Sequence, residues 1–140
     1  MAEAAQKSEP HRRTRRDHAT ETAEDYVEAI AEILVERETC RVTDLAKRFA
    51  VSHVTVNRIV GRLKNEGLLD TEPYQPISLT ATGRRLATKC RQRHETVYRF
   101  LLALGIDNVT AAIDAEGMEH HVSPKTLRRF AELTEQLGES

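Results

Sequence analysis

The sequence lacks the features that mark membrane and secreted proteins. It has no run of about 18 apolar residues, the length that a membrane-spanning helix needs, so we expect no membrane segment. The arginines within residues 12–16 are not followed by an apolar stretch, which argues against a secretory signal. The two cysteines, Cys40 and Cys90, form neither a Cys-x-x-Cys motif nor a disulfide framework. These absences favour a reduced chain in the cytoplasm.

Motifs of several enzyme classes are missing as well. The chain contains no His-Glu-x-x-His segment, no Gly-rich phosphate loop and no nucleophile elbow. Di-metal carboxylate enzymes built on helical bundles use Glu-x-x-His pairs, whereas Glu116 and His120 are four residues apart here. We therefore do not expect the chain to be an enzyme.

The net charge of −1 conceals a strong segregation of charge along the chain. Residues 41–91 contain ten Lys and Arg residues against four acidic residues, a balance of +6. The balance is −6 over residues 21–40 and −4 over residues 107–140. A basic middle indicates a polyanionic partner, and acidic flanks indicate a bound cation. Solvated charged faces without a partner are the alternative interpretation.

The spacing of apolar residues predicts a mainly α-helical chain with one small β-hairpin. An apolar stripe from Tyr26 to Leu34 is typical of an amphipathic helix. Gly67 and Gly105 follow later stripes, where a glycine commonly ends a helix. Between them, the proline-containing segment 68–80 predicts a hairpin. The predicted helices cover residues 21–37, 42 to about 50, 52–66, 80 or 82 to 104, 108–120 and 123–137.

These elements divide the chain into three predicted parts. Residues 1–20 are polar and basic, contain Pro10 and show no apolar periodicity, so we predict a disordered basic arm there. Residues 21–81 have the order helix, short helix, tight turn, helix and hairpin, which is that of a winged helix-turn-helix DNA-binding domain. Residues 82–140 are predicted to form a helical domain for dimerisation and metal binding.

The third helix of the predicted winged helix-turn-helix has an apolar face and a polar face. Val56, Ile59, Val60 and Leu63 face inward, whereas the polar residues can contact bases and phosphates of double-stranded DNA in the major groove. Asn suits adenine, and Arg suits guanine. A solvated face, or a winged helix that binds protein, is the alternative. The candidate DNA-binding residues are Ser52, His53, Thr55, Asn57, Arg58, Arg62 and Lys64.

Hard metal ligands occur on three of the predicted helices, where they could converge. Four carboxylates brought together without cations would repel one another, and two divalent ions would cancel that repulsion. Carboxylates with imidazole and no sulfur suit Mn²⁺ or Fe²⁺. A histidine packed in a core, and ordinary acids in the first turn of a helix, are the alternatives. The candidate metal ligands are Asp25, Glu28, His94, Glu116, Glu119 and His120.

Three segments of the sequence are distinctive when they are taken together. They are Glu24-Asp25-Tyr26-x-Glu28, Ser52-His53-Val54-Thr55-Val56, and Glu116-Gly117-Met118-Glu119-His120-His121. They resemble the diphtheria toxin repressor family of metal-dependent regulators, and its manganese transport regulator branch in particular. A histidine on the long helix, His94, completes the pattern, and the similarity extends over about residues 20–137.

The resemblance implies a homodimeric repressor that binds two Mn²⁺ per subunit and a palindromic operator, chiefly at manganese uptake genes. Its ligands carry over onto the same six candidate residues. Iron-sensing relatives have Met and Cys where this chain has Asp25 and Glu116, which favours manganese, although Fe²⁺ stays possible. An iron-responsive regulator and a metal-independent winged-helix regulator are the competing interpretations.

Overall fold

The computed structural model describes the backbone of residues 2–139 and the side chains of residues 12 and 14–138. It confirms a mainly α-helical fold with a winged helix-turn-helix, and no helix of the described residues is long and apolar enough to cross a membrane. Its contacts separate two units, residues 1–87 and 88–140. The elements are α1 (Ala2–Glu36), α2 (Val42–Phe49), α3 (His53–Asn65), β1 (Leu69–Asp70), β2 (Ser78–Leu79), α4 (Ala81–Ala103), α5 (Asn108–Met118) and α6 (Pro124–Glu139).

Helix α1 begins much earlier than the sequence predicts. The chain is helical from Ala2, where we predicted a disordered arm over residues 1–20. The buried stripe of α1 begins only at Ala23 and continues through Ile33. Before Ala23 the chain is rich in Ala, Glu, Gln, Lys and Arg, whose helix propensity does not depend on a buried face. The absence of an apolar stripe therefore did not imply the absence of a helix.

The first unit is a helix-turn-helix packed on α1. The ring of Tyr26 stacks on that of Phe49 with centroids 4.4 Å apart, and this contact joins α1 to the end of α2. Ala50 adopts the left-handed conformation (φ 54°) and ends α2, while the Val51 amide donates to the Ala46 carbonyl at 3.1 Å. These bonds close the tight turn that directs α3 away from α2.

The wing follows α3 as predicted. Gly67 has a φ of +77°, and the amide of Leu68 donates to the Leu63 carbonyl at 3.0 Å, so the helix ends in a Schellman motif. Strands β1 and β2 pair antiparallel, with Leu69 opposite Leu79.

Helix α4 starts directly against the base of the wing. The hydroxyl of Thr80 accepts a bond from the Gly83 amide at 3.1 Å, so Thr80 caps the helix. A Cβ atom on Gly83 would lie 1.9 Å from the carbonyl oxygen of Leu68. Only glycine permits this close approach of the first turn of α4 to the chain that leads into β1.

The second unit is a small helical core. Val97 and Leu101 of α4 are buried with Ala111 and Ala115 of α5, and the ring of Phe100 stacks on that of Phe130 at 4.1 Å. Asp107 and Ser123 cap α5 and α6 by accepting from the backbone amides three residues ahead. Several large apolar side chains of this unit are exposed, and Leu104, Val109 and Ile113 are the most exposed among them.

Candidate nucleic-acid interface and metal centre

The N-terminus of α3 is fixed by two of the predicted DNA-binding residues. The hydroxyl of Ser52 accepts from the Thr55 amide at 3.1 Å and donates to the Thr55 hydroxyl at 3.0 Å. These bonds satisfy donors that the first turn of a helix leaves open. Ser52 and Thr55 therefore set where α3 begins, in addition to any contact with DNA.

The exposed face of α3 carries the remaining base-reading candidates. His53, Asn57 and Arg58 are exposed, on the side of the helix away from the buried Val56 and its apolar stripe. Val54 is also 78% exposed on this surface. Val54 is not among the DNA-binding residues predicted from the sequence, although its position outside the apolar stripe indicates that it is exposed. A branched apolar side chain there suits the methyl group of thymine.

Arg62 and Lys64 are engaged within their own unit. Arg62 is half-buried, donates to the Ala19 carbonyl at 3.2 Å and lies 3.6 Å from the carboxylate of Glu66. The ammonium of Lys64 donates to the carbonyl of Thr71 at 2.7 Å. One residue thus joins α3 to α1, and the other joins α3 to the wing. Their role as DNA ligands stays a prediction.

A concave surface lies between α3 and the wing, and the cavity that it lines has a volume of about 600 Å³. Its lining includes Arg41, His53, Asn57, Lys64 and Tyr74. These side chains offer cationic groups and hydrogen-bond donors, which are the chemistry that phosphates and bases accept.

Two of the predicted metal ligands lie in the first unit. Asp25 and Glu28 are both half-buried on α1, and their spacing of three residues places them on one face of the helix. Glu24, beside them, is only 5% exposed. A glutamate buried to this extent is rare unless it is paired, so the structure adds an acid that the sequence analysis did not single out.

The other four predicted ligands lie in the second unit and form two pairs. Nδ1 of His94 is 3.4 Å from Oε2 of Glu116, and Nε2 of His120 is 3.3 Å from Oε1 of Glu119. Neither separation corresponds to a hydrogen bond, and His94 Nδ1 and Glu119 Oε1 are among the buried side-chain atoms that lack one in the described part of the chain.

These separations fit metal ligands. Two adjacent donor atoms, each about 2.1 Å from one octahedral ion, lie about 3 Å apart. Each pair combines a carboxylate oxygen with an imidazole nitrogen, and neither pair includes sulfur. The second unit therefore has donors suited to a hard divalent cation at two places.

Arg93 contacts one of these ligands directly. Its Nε donates to Oε2 of Glu119 at 3.0 Å, and the two side chains are 16% and 1% exposed. Burial raises the pKa of the Glu119 carboxyl, and the hydrogen bond from Arg93 acts in the opposite direction. Arg93 is not among the residues predicted from the sequence, because a basic residue beside His94 carries no signal of its partner.

Two domain families match the chain. Residues 18–77 match the iron dependent repressor N-terminal DNA binding domain, and residues 80–140 match the iron dependent repressor metal binding and dimerisation domain. The transcriptional regulator MntR of Salmonella typhimurium is 42% identical over 132 residues, which is 94% of this chain and 84% of that protein. The regulator MntR of Bacillus subtilis is 32% identical over 120 residues, covering 86% and 84% respectively.

Solved structures agree with this assignment. A manganese-dependent transcriptional repressor in complex with manganese has a TM-score of 0.66 and 29% identity, covering 84% of this chain. The manganese regulator SloR has a TM-score of 0.70 and 26% identity, covering 81% of this chain. The chain spans about half the length of each, 53%.

The fold, the two sites and these matches define a transcriptional regulator with a DNA-binding domain and a metal-binding domain. The chain belongs to the iron dependent repressor family, which confirms the resemblance drawn from the sequence. It is a regulator and not an enzyme.

Proposed function

We propose that the chain is a cytoplasmic Mn²⁺-dependent repressor that binds a palindromic operator as a homodimer. The observation that carries the proposal lies in the second unit, which contains two carboxylate–imidazole pairs. The oxygen and nitrogen atoms within these pairs are 3.4 and 3.3 Å apart. Similar solved proteins include a manganese-dependent repressor in complex with manganese, and similar curated proteins include regulators named MntR, which supports manganese as the metal.

Charge and ligand type favour two hard cations for each subunit. Asp25, Glu28, Glu116 and Glu119 carry four negative charges, which two divalent ions neutralise. The oxygen and nitrogen donors suit Mn²⁺ and Fe²⁺, and the absence of sulfur among the proposed ligands disfavours softer metals. His94 with Glu116, and Glu119 with His120, would each contribute to one ion, and Asp25 and Glu28 of α1 stay further predicted ligands.

Metal binding and operator binding would be linked. A dimer on a palindromic operator needs its recognition helices about 34 Å apart or a multiple of that distance. A metal-bound state in which α3 has fewer orientations would lose less entropy on reaching this spacing, so Mn²⁺ would raise the affinity for the operator. By linkage, operator DNA would raise the affinity for Mn²⁺ by the same factor.

The apolar surface of the second unit supports the homodimer. Leu104, Val109 and Ile113 are exposed, and the last two are 66% and 68% accessible in the single chain. Val109 and Ile113 are four residues apart on α5 and so share one face of that helix. Exposed apolar surface of this kind commonly marks a protein interface. The family match to a dimerisation domain covers the same residues.

The proposal is tested by replacing one ligand and one matched acid on the same helix. Glu116→Ala should abolish Mn²⁺-stimulated operator binding in a gel-shift assay while the dimer persists in analytical ultracentrifugation. Asp114→Ala, which removes an exposed carboxylate from α5, should bind like the wild type. Unchanged Mn²⁺-dependent shifts for Glu116→Ala would show that the site is wrong.

Calorimetry separates the competing regulators. Titration of the metal-free protein with Mn²⁺ and Fe²⁺ should give about two sites for each subunit under our proposal. A response of operator binding to Fe²⁺ alone would identify an iron regulator, and the absence of any metal binding would favour a metal-independent one. Footprinting upstream of manganese uptake genes would then test the predicted targets.

A further inference from the structure

Tyr74, at the tip of the wing, has an unfavourable backbone conformation that no packing compensates. Its φ is +64°, in the left-handed region that glycine and asparagine tolerate and that a bulky side chain rarely adopts. Its side chain is 97% exposed, so it contributes almost no buried apolar surface to folding. A residue that strains the backbone and does not pack into the core is a candidate for contact with a ligand.

The tip is held in place by both helices of the helix-turn-helix. Nη1 of Arg41, which precedes α2, donates to the Tyr74 carbonyl at 3.3 Å. Lys64 of α3 donates to the Thr71 carbonyl, and the Gln75 amide closes the turn by donating to the Glu72 carbonyl at 3.0 Å. These bonds fix Tyr74 relative to the recognition helix, so its ring is presented at a defined place.

The surroundings of Tyr74 indicate what its side chain contacts. It borders the concave surface that also includes His53 and Asn57 of α3, and this surface belongs to the DNA-binding domain. Arg41 and Lys64 bring two positive charges against the single carboxylate of Glu72. A polyanion that occupies the exposed face of α3 would pass beside the tip of the wing.

We propose that Tyr74 binds the sugar–phosphate backbone beside each operator half-site, with its hydroxyl donating to a phosphate oxygen and its ring lying against the sugar. Tyrosine hydroxyls are established donors to phosphates, and such contacts position a protein on DNA without reading its sequence. This inference rests on the proposed function, because it requires that the chain binds operator DNA.

The experiment compares Tyr74→Phe and Tyr74→Gly with the wild type by fluorescence anisotropy in saturating Mn²⁺. Tyr74→Phe should lose about tenfold in affinity, the effect of one hydrogen bond to a charged group. The loss should be equal on operator and scrambled duplexes. The slope of log affinity against log salt should not change, because tyrosine carries no charge.

Tyr74→Gly separates a ligand contact from a structural role. Relief of the strained φ should raise the melting temperature, while the affinity for DNA falls at least as far as in Tyr74→Phe. Ala50→Gly is the matched control, since Ala50 is another non-glycine residue whose backbone has a left-handed conformation. It should raise the melting temperature and leave the affinity for DNA unchanged.

The outcomes distinguish this inference from the function on which it rests. If the wild type shows no Mn²⁺-dependent operator binding, the proposed function is wrong. If the wild type binds and both Tyr74 variants bind equally well, only the contact by Tyr74 is wrong. A changed salt slope in Tyr74→Phe would also overturn the inference, because it would indicate a displaced cationic contact.

Discussion

The buried ion pair between Arg93 and Glu119 should contribute to the stability of the metal-free chain, and this contribution can be tested directly. The change is Arg93→Met, which keeps much of the side-chain volume and removes the charge. Arg93 Nε lies 3.0 Å from Glu119 Oε2, and Glu119 is 1% exposed. The variant therefore leaves a buried carboxylate without the guanidinium that compensates it.

Breaking such a buried pair by removing one partner costs about 3–5 kcal/mol of folding free energy. Replacing both partners leaves no buried charge and is far less costly, so Arg93→Met/Glu119→Gln should recover most of the loss. Glu119 in Arg93→Met can also become neutral by binding a proton. Because burial raises the pKa of the Glu119 carboxyl above its usual value of 4.5 in the folded state, the deficit should be smallest at acidic pH and grow as the pH rises and the buried carboxyl ionises.

The assay is urea denaturation with EDTA present and the protein concentration held constant, since a dimer's stability depends on concentration. The same series in saturating Mn²⁺ should show a smaller deficit for Arg93→Met, because the bound cation supplies positive charge to Glu119. A deficit below about 1 kcal/mol in EDTA, or a double variant no more stable than Arg93→Met, would refute the reasoning.

Four further changes test other parts of the fold. Gly83→Ala should destabilise the protein by at least about 2 kcal/mol in urea, because its Cβ would meet the Leu68 carbonyl at 1.9 Å. Gly61→Ala has open space and should stabilise α3 by about 0.5–1 kcal/mol. Burial raises the pKa of the Cys40 thiol from 9.0 to about 11, so stability should fall between these pH values as the unfolded thiol ionises, and a Cys40→Ala variant should lack this component. Lys64→Met should speed hydrogen exchange in the wing, measured by mass spectrometry, whereas unchanged exchange would show that its bond to the wing is dispensable.

Most of the fold could be predicted because its signals are local. The Schellman glycine Gly67, the cap Thr80 and the Ser123-Pro124 start of α6 are each determined by a few adjacent residues. The helical state of residues 2–20 could not be predicted in this way. Nothing in that stretch forms an apolar stripe, and helix propensity alone is a weak signal.

The candidate sites also contain some residues that the sequence predicts and others that only the folded structure reveals. The residue types of the six predicted metal ligands indicate a cation, and four of them form two close pairs in the second unit. Arg93 and Glu24 were missed because burial and partners arise from tertiary packing, which spacing along one helix does not encode. Arg62 and Lys64 were grouped with the polar face of α3 for the same reason, although each one donates to a backbone carbonyl within its unit.

The polar surface of α3 thus contains two kinds of side chain with different consequences for DNA binding. Arg62 and Lys64 already donate to protein carbonyls, so a contact with phosphate would require those bonds to break or be shared. The second kind consists of exposed side chains that could contact DNA without giving up such a bond, namely His53, Val54, Asn57 and Arg58. Sequence discrimination should therefore reside in this second group. Arg58→Ala should narrow the difference in affinity between operator and scrambled duplexes, and an unchanged difference in an anisotropy titration would remove Arg58 from the reading surface.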